Sequence, residues 1–353
     1  MDAIVTYDLT KEYGENVSLS GVNLQVSQGE AFACVGGKNS GKTTLIRLLS
    51  GLSRPTFGEC SVLGLSPAHE PQRLHQMVGT VLTEAKLYGA MTLWENLRFF
   101  AGLHGMDDNG ALERSSFLLH KLDIWEGRDT RVDALPTGVV RRASLARALM
   151  HSPRALLVDE PSGGLDLETA GAIREMLSCV AQEEGVTLFL CTGNMAFAQL
   201  VCANYGILKD GLLLAKGNLD SLRRGAGIQF RAQLRLCEES RTPAGFSRNG
   251  PYWEKEIAAE KAMPEIISRM VGEGFSLLEA RILSPTLEEI YTAYVTGGRR
   301  EVLRENETGE SEEPERESDQ ESSTRPEEFQ QENVPGGDLG PASPEGSGED
   351  EPI

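Results

Sequence analysis

Apolar positions along this chain change their spacing from segment to segment, and each spacing predicts a different element. Glu30-Ala31-Phe32-Ala33-Cys34-Val35 is short, mostly apolar and bounded by Gly29 and Gly36, the pattern of a buried parallel strand. Ala155-Leu156-Leu157-Val158 and Val186-Thr187-Leu188-Phe189-Leu190 read as further apolar strands. Helical spacing follows the first strand: Leu45, Ile46, Leu48, Leu49 and Leu52 recur from Thr43 onward, and Gly51 and Pro55 are stop signals. Thr92-Leu93-Trp94-Glu95 is a capping box opening a helical run with Leu97, Phe99, Phe100 and Leu103 before Gly105. A second run, 111–122, carries Leu112, Phe117, Leu118, Leu119 and Leu122. Both stripes are expected to be core, with Leu87, Tyr88 and Trp94 the candidates for an exposed contact.

Beyond residue 219 the period changes. Residues 228–236 alternate apolar and polar, as a half-buried strand does, and 262–271 form an amphipathic helical pattern. Residues 275–283 predict another strand, and Thr286 with Glu289 makes a second capping box at the start of a final helix.

A chain of 353 residues suggests one large or two modest domains. Its net charge of −19 is concentrated at one end: residues 301–353 hold eighteen Asp or Glu against three Arg, leaving the rest close to neutral. That end is rich in Glu, Ser, Pro and Gly, with Phe329 its only aromatic, so it cannot bury enough apolar surface to offset chain entropy. It is expected to be a disordered acidic tail, 298–353, either a solvated extension or a docking arm for a basic partner. The chain lacks the clustered Lys and Arg that neutralise a phosphate backbone, which argues against a nucleic-acid partner. Cysteines at 34, 60, 179, 191, 202 and 237 form no C-x-x-C pair and read as reduced, buried thiols. No basic stretch and apolar core follow Met1, and no run approaches about 18 apolar residues, so a cytosolic chain is expected unless something recruits it.

The candidate chemistry lies where the first strand meets its helix. Gly36-Gly37-Lys38-Asn39-Ser40-Gly41-Lys42-Thr43-Thr44 fits G-x-x-x-x-G-K-[ST], a phosphate-binding loop. Glycines let backbone N–H groups turn inward around phosphates, Lys42 reaches the β and γ oxygens, and the Thr43 hydroxyl ligates magnesium. Lys38 adds a cation inside the loop, pointing either to solvent, the preferred reading, or to phosphate. The strand 155–158 ends in Asp159 and Glu160: the first is suited to hold magnesium, the second to polarise an attacking water.

The segment ahead of that strand, Leu135-Pro136-Thr137-Gly138-Val139-Val140-Arg141-Arg142-Ala143, resembles the signature region of the ABC transporter ATPases. The order of motifs is similar too: phosphate loop, signature, acidic strand, then Ser162-Gly163-Gly164-Leu165-Asp166 where the family has a dimer-contact loop. Tyr13 occupies the place of the family's adenine-stacking aromatic. The resemblance covers residues 3–218 and implies an α/β fold, a P-loop NTPase of the ABC ATPase type with a helical subdomain. It implies ATP and Mg²⁺ as cofactors, a homodimer or heterodimer with another ATPase subunit, and membrane permease subunits as partners. The expected location is then the inner face of the cell membrane, peripheral through those permeases. Residues 219–297 resemble the small α+β C-terminal domain of drug-resistance-type exporters, whose chains close on a similar Pro-[Ser/Thr]-Leu-Glu segment, here Pro285 to Glu288.

Three positions depart from the family. Thr83 stands where a glutamine reaches magnesium and water, with Glu84 beside it as a candidate substitute. Pro136 replaces the signature serine and supplies neither hydroxyl nor N–H. Gly193 stands where a histidine contacts the γ-phosphate. Losing one preorganised donor costs roughly 100- to 1,000-fold in rate, so hydrolysis is expected to be slow and binding less affected. In the family's head-to-tail dimer, Gly193 and Thr83 weaken the site holding this chain's own ATP and Pro136 the partner's, so both sites of a heterodimer carry a lesion.

Overall fold

The structure is a computed structural model that describes residues 1–83, 87–237 and 242–307, with backbone alone from 298. Six strands form its central sheet, in the spatial order Val78–Val81, Ala155–Asp159, Thr187–Thr192, Ala31–Val35, Asn204–Lys209, Leu212–Asn218. The first five run parallel and are almost wholly buried, as their apolar runs predict; the sixth is an antiparallel edge strand with alternating exposure. Asp210 and Gly211, both at positive φ, make the tight turn into that edge.

One face of the sheet carries a three-stranded antiparallel sheet, Asn16–Ser27, Asp2–Tyr13 and Phe57–Val62. Leu9, Leu19, Val22, Phe32, Leu45, Ile46 and Phe189 fill the space between, with the rings of Phe32 and Phe189 stacked at 5.8 Å. The helix after the phosphate loop, Lys42–Leu49, ends where Gly51 takes φ 74°, as its stop signal predicts. Leu52 is not core: it lies past that stop and is 57% exposed.

The other face carries a larger apolar cluster, shared with a helical subdomain of Leu93–Leu103, Asp108–Lys121 and Thr137–Leu149. Thr92 and Glu95 make the reciprocal bonds of the capping box, an arrangement whose loss costs about 1 kcal/mol. Leu97, Leu118, Leu119 and Leu122 are buried, but Phe99, Leu103, Leu112 and Phe117 are exposed, so the two stripes are wider than the core they fill. Of the three candidates for contact, Leu87 is core, Trp94 is half-buried against Trp125, and Tyr88 is open.

The C-terminal domain is a four-stranded antiparallel sheet, Ser247–Asn249, Tyr252–Ile257, Phe230–Leu236 and Leu277–Leu283 in that order, backed by helix Met263–Gly272. Ala232, Leu234, Trp253, Ile266 and Met270 form its own core. Alternation in 228–236 predicts one wet face, yet Gln233 is buried and donates to Glu254 at 2.7 Å. The closing helix, Leu287–Glu307, runs past residue 298, where the tail was expected to begin; residues 308–353 lie outside the described part. Leu287 and Ile290 are fully buried in the same cluster as the large sheet, each stabilising by roughly 1.5–3 kcal/mol.

Between the helical subdomain and the sheet lies a groove of about 510 Å³, lined by Leu52, Leu82, Phe100, Leu103, Arg147 and His151 among others. The His104 and His151 rings, which both line it, stack at 3.8 Å. Burial, then the adjacent His104, lowers the His151 pKa from 6.5 to about 4. The folded protein therefore binds fewer protons than the unfolded chain between those values, and stability falls as pH drops through that window. Replacing His151 by Asn is expected to remove roughly 1 kcal/mol of this loss at pH 5, after discounting for partial exposure. The check is the difference in thermal midpoint between pH 7 and pH 5, which shrinks in the variant.

Candidate nucleotide site

Strand register brings the motifs together. Val35 pairs with Thr192 and Cys191 with Asp159, so the phosphate loop, residues 192–193 and the Asp159-Glu160 pair leave the sheet side by side at its C-terminal edge. Parallel α/β sheets bind ligands at such an edge.

Glycine is required at two loop positions. A Cβ on Gly36 would lie 2.4 Å from both the Leu208 carbonyl oxygen and Ser40 Oγ. Gly41 sits at φ 103°, and a Cβ there would be 2.5 Å from the Ser18 carbonyl oxygen. Gly41 immediately precedes Lys42–Leu49, whose first-turn N–H groups point into a cleft of about 360 Å³. Ser18, Lys38, Asn39, Ser40, Gly41, Lys42, Thr43, Thr44 and Glu160 line it.

The Lys42 ammonium is buried and donates to the Gly36 and Gly37 carbonyls at 2.9 and 2.7 Å, with Glu160 Oε1 at 3.6 Å. It holds the loop closed upon itself and lies within reach of an anion entering the cleft. Lys38 is exposed at the rim of the cleft, and Asn39 beside it takes φ 63°. The Thr44 hydroxyl bonds to Ser18 Oγ at 2.8 Å, tying the loop to strand Asn16–Ser27. Ser18 has no distinguishing sequence signal. Tyr13 is not among the lining residues: its ring is open, 5.0 Å from the Lys11 ammonium, on a strand whose partner Asn16 lies two residues from Ser18.

Thr43 Oγ1 donates to Asp159 Oδ2 at 2.9 Å. Asp159 is 1% exposed, and its Oδ1 has no hydrogen-bond partner. Burial pushes this carboxyl's pKa up, the Thr43 bond opposes that, and the neighbouring Glu160 pushes it up again. A buried carboxylate oxygen left bare is costly unless a cation meets it. One hydroxyl and one carboxylate are the protein share of a magnesium site whose remaining ligands are water and phosphate, so these residues fit Mg²⁺. Among the described residues no cluster of three His, Cys, Asp or Glu offers an all-protein alternative.

Glu160 follows its strand at φ 46°, a left-handed conformation that is strained for a residue with a side chain. Its carboxylate accepts from the Gly193 N–H at 3.0 and 3.1 Å and from Thr192 Oγ1 at 3.0 Å. The backbone therefore fixes this carboxylate where the resemblance led us to expect a histidine. Thr192 was missed in the sequence because a lone Thr closing a strand carries no signal.

Thr83 lines a second hollow of about 280 Å³ with Thr43, Asp159 and Glu160, while Glu84 lies outside the described residues. Pro136 caps helix Thr137–Leu149 without any side-chain bond, leaving its exposed N-terminus open. Gly138 has a packing reason of its own, since a Cβ there would lie 2.6 Å from Thr169 Oγ1. Asp166 caps Leu167–Gln182 by accepting from the Thr169 N–H at 2.8 Å. Leu167 beside it is 91% exposed.

Known proteins with this arrangement can be compared directly. Residues 19–163 match the ABC transporter family. The probable multidrug ABC transporter ATP-binding protein YbhF of Escherichia coli (strain K12) is 32% identical over 216 residues, 61% of this chain and 37% of that protein. This chain thus spans little more than a third of that relative's length. The bacitracin transport ATP-binding protein BcrA of Enterococcus faecalis is 30% identical over 223 residues, 63% of this chain and 71% of that one. A solved structure described as the ATP binding subunit of an ABC transporter aligns with a TM-score of 0.60 at 27% identity, covering 64% of this chain and 94% of the other. With the phosphate loop and the acidic strand meeting at one sheet edge, the chain belongs to the family of ABC transporter ATP-binding proteins.

Proposed function

We propose that the chain is the ATP-binding subunit of an ABC exporter, which binds Mg-ATP and couples dimer closure and hydrolysis to transport by separate permease subunits. The observation that carries this reading is the pairing of Thr43 with a buried Asp159 whose second oxygen is bare, directly beside the Lys42 loop. In this reading Gly36 to Thr44 bind the phosphates, Thr43 and Asp159 hold magnesium, and Tyr13 stacks on adenine. Bound Mg²⁺ supplies charge neutralisation between the phosphates. Lys42 leaves the loop carbonyls for the β and γ oxygens, and Glu160, held by Thr192 and Gly193, orients and deprotonates the attacking water.

Closure joins this chain to a second copy or to another ABC ATPase subunit, with Pro136, Thr137 and Gly138 facing the partner's nucleotide. The groove between the helical subdomain and the sheet, with Tyr88 and Leu103 exposed at the subdomain, supports contact with a permease. Among the described residues no helix is long and apolar enough to cross a membrane, and a peripheral position at the inner face of the cell membrane follows from the permease.

A second reading is a regulatory or scaffold subunit that binds ATP and scarcely turns over. Thr83, Pro136 and Gly193 favour it, because Pro136 and Gly193 each remove a donor to the reacting phosphate and Thr83 is too short to reach magnesium and water as the glutamine does. Steady-state ATPase rates separate the two. The wild type is expected to hydrolyse slowly and Glu160→Gln to fall to background. Equal background rates from both would remove the enzyme and leave the regulatory subunit.

Gly193 is open to reversal. A Cβ there meets only the Gly36 carbonyl oxygen at 3.4 Å and Glu160 Oε1 at 3.7 Å, ordinary contact distances for a Cβ. Gly193→His is expected to raise turnover at least about tenfold. An unchanged rate would mean that the Gly193 N–H and Thr192 already supply what the imidazole would.

A further inference from the structure

The phosphate loop is held from outside by the far end of the chain. Tyr291, on the closing helix, accepts a hydrogen bond from the Gly37 N–H at 3.0 Å across 254 residues of sequence. That N–H belongs to the Gly36–Gly37 peptide, and the carbonyl of the same peptide, Gly36 O, accepts from the Lys42 ammonium at 2.9 Å. One peptide plane is thus gripped at both ends, and a flip about it would break both bonds at once. Gly37 offers this N–H within reach of the phenol; a Cβ on it would stand 3.2 Å from the Tyr291 oxygen.

The helix that presents Tyr291 is itself anchored on two sides. Leu287 and Ile290 are buried in the core of the large sheet, the Leu287 N–H donates to Gln199 Oε1 at 3.0 Å, and Lys209 Nζ donates to the Val295 carbonyl at 3.2 Å. From the C-terminal domain, Arg231 donates to Glu289 Oε1 at 2.6 Å, two residues from the tyrosine. The other oxygen of Glu289 accepts from the Thr286 N–H, so one carboxylate both caps the helix and ties it to the C-terminal sheet. One helix is therefore tied to that sheet at Glu289 and to the loop at Tyr291, two residues on.

We infer that Tyr291 is a positioning residue for the phosphate loop, by which the docked C-terminal domain sets the affinity for Mg-ATP. The phenol orients the Gly36–Gly37 peptide before nucleotide arrives, so that binding does not have to order it. This inference rests on the nucleotide-binding reading. It concerns affinity and leaves the hydrolytic step alone, because Tyr291 bonds to the loop's first turn and is not among the residues lining the cleft.

The test is titration of Mg-ATP onto the full chain as wild type, Tyr291→Phe and Tyr294→Phe. Tyr294 is the control: it lies on the same helix and its hydroxyl donates to the Leu222 carbonyl at 3.2 Å, away from the loop. Tyr291→Phe is expected to weaken binding about threefold to tenfold, raising KM with kcat unchanged, while Tyr294→Phe binds as the wild type does. Amide exchange at Gly37, read by NMR in the nucleotide-free protein, is expected to speed up in Tyr291→Phe alone. Wild-type affinity in Tyr291→Phe, or an equal loss in both variants, would overturn the inference. Absence of saturable binding to the wild type would instead remove the nucleotide-binding reading, and this inference with it.

Discussion

Everything at the candidate site depends on the alignment of three adjacent parallel strands, Ala31–Val35, Thr187–Thr192 and Ala155–Asp159. Their C-terminal ends are level, with Val35 opposite Thr192 and Cys191 opposite Asp159, so three loops emerge at one edge. Buried on both faces, these strands cannot slip without exposing Phe32, Leu157 or Phe189 or forcing new packing on the helices. The sheet thus serves as a rigid ruler for polar groups that have little packing of their own. A one-residue shift of about 3.3 Å would part Thr43 from Asp159 and Glu160 from Gly193.

Polar groups at this edge are incompletely satisfied, and the incompleteness is directional. Lys42 turns back to loop carbonyls, Asp159 keeps one bare oxygen, and Glu160 sits in a left-handed backbone conformation. Each is a modest cost in the folded chain, and in the proposed function each would be relieved or used by a magnesium-bound phosphate. The glutamate is an exception to the losses expected at Thr83 and Pro136. Its carboxylate is held by a peptide N–H and a hydroxyl that do not depend on the missing imidazole.

Much of this was legible in the sequence because it is local. Loop spacing, the acidic strand, both capping boxes and the Gly51 stop rest on contacts within a few residues. In the hairpin Asp2–Tyr13 and Asn16–Ser27, irregularities along the pairing blur the pattern of the first strand, whereas Val22, Leu24 and Val26 alternate cleanly in the second and were a readable signal. The turn at Asp210-Gly211 was a readable signal that the apolar pattern alone did not bring out. Burial was less legible than periodicity. Leu87 is inside and Leu103 outside, and Gln233 is covered on a face that alternation predicts to be wet. Contacts between distant segments left no trace in one sequence: Thr192 under Glu160, Ser18 against Thr44, and Tyr291 on the loop.

The central claim is that this edge grips magnesium-bound nucleotide through Lys42, Thr43 and Asp159. Calorimetric titration of ATP onto the chain, with magnesium and with chelator, and onto Lys42→Ala with magnesium, measures that grip directly. The account predicts one saturable site that weakens without magnesium and is lost in the variant. Equal binding by wild type and variant, or no saturable heat from the wild type, would contradict it.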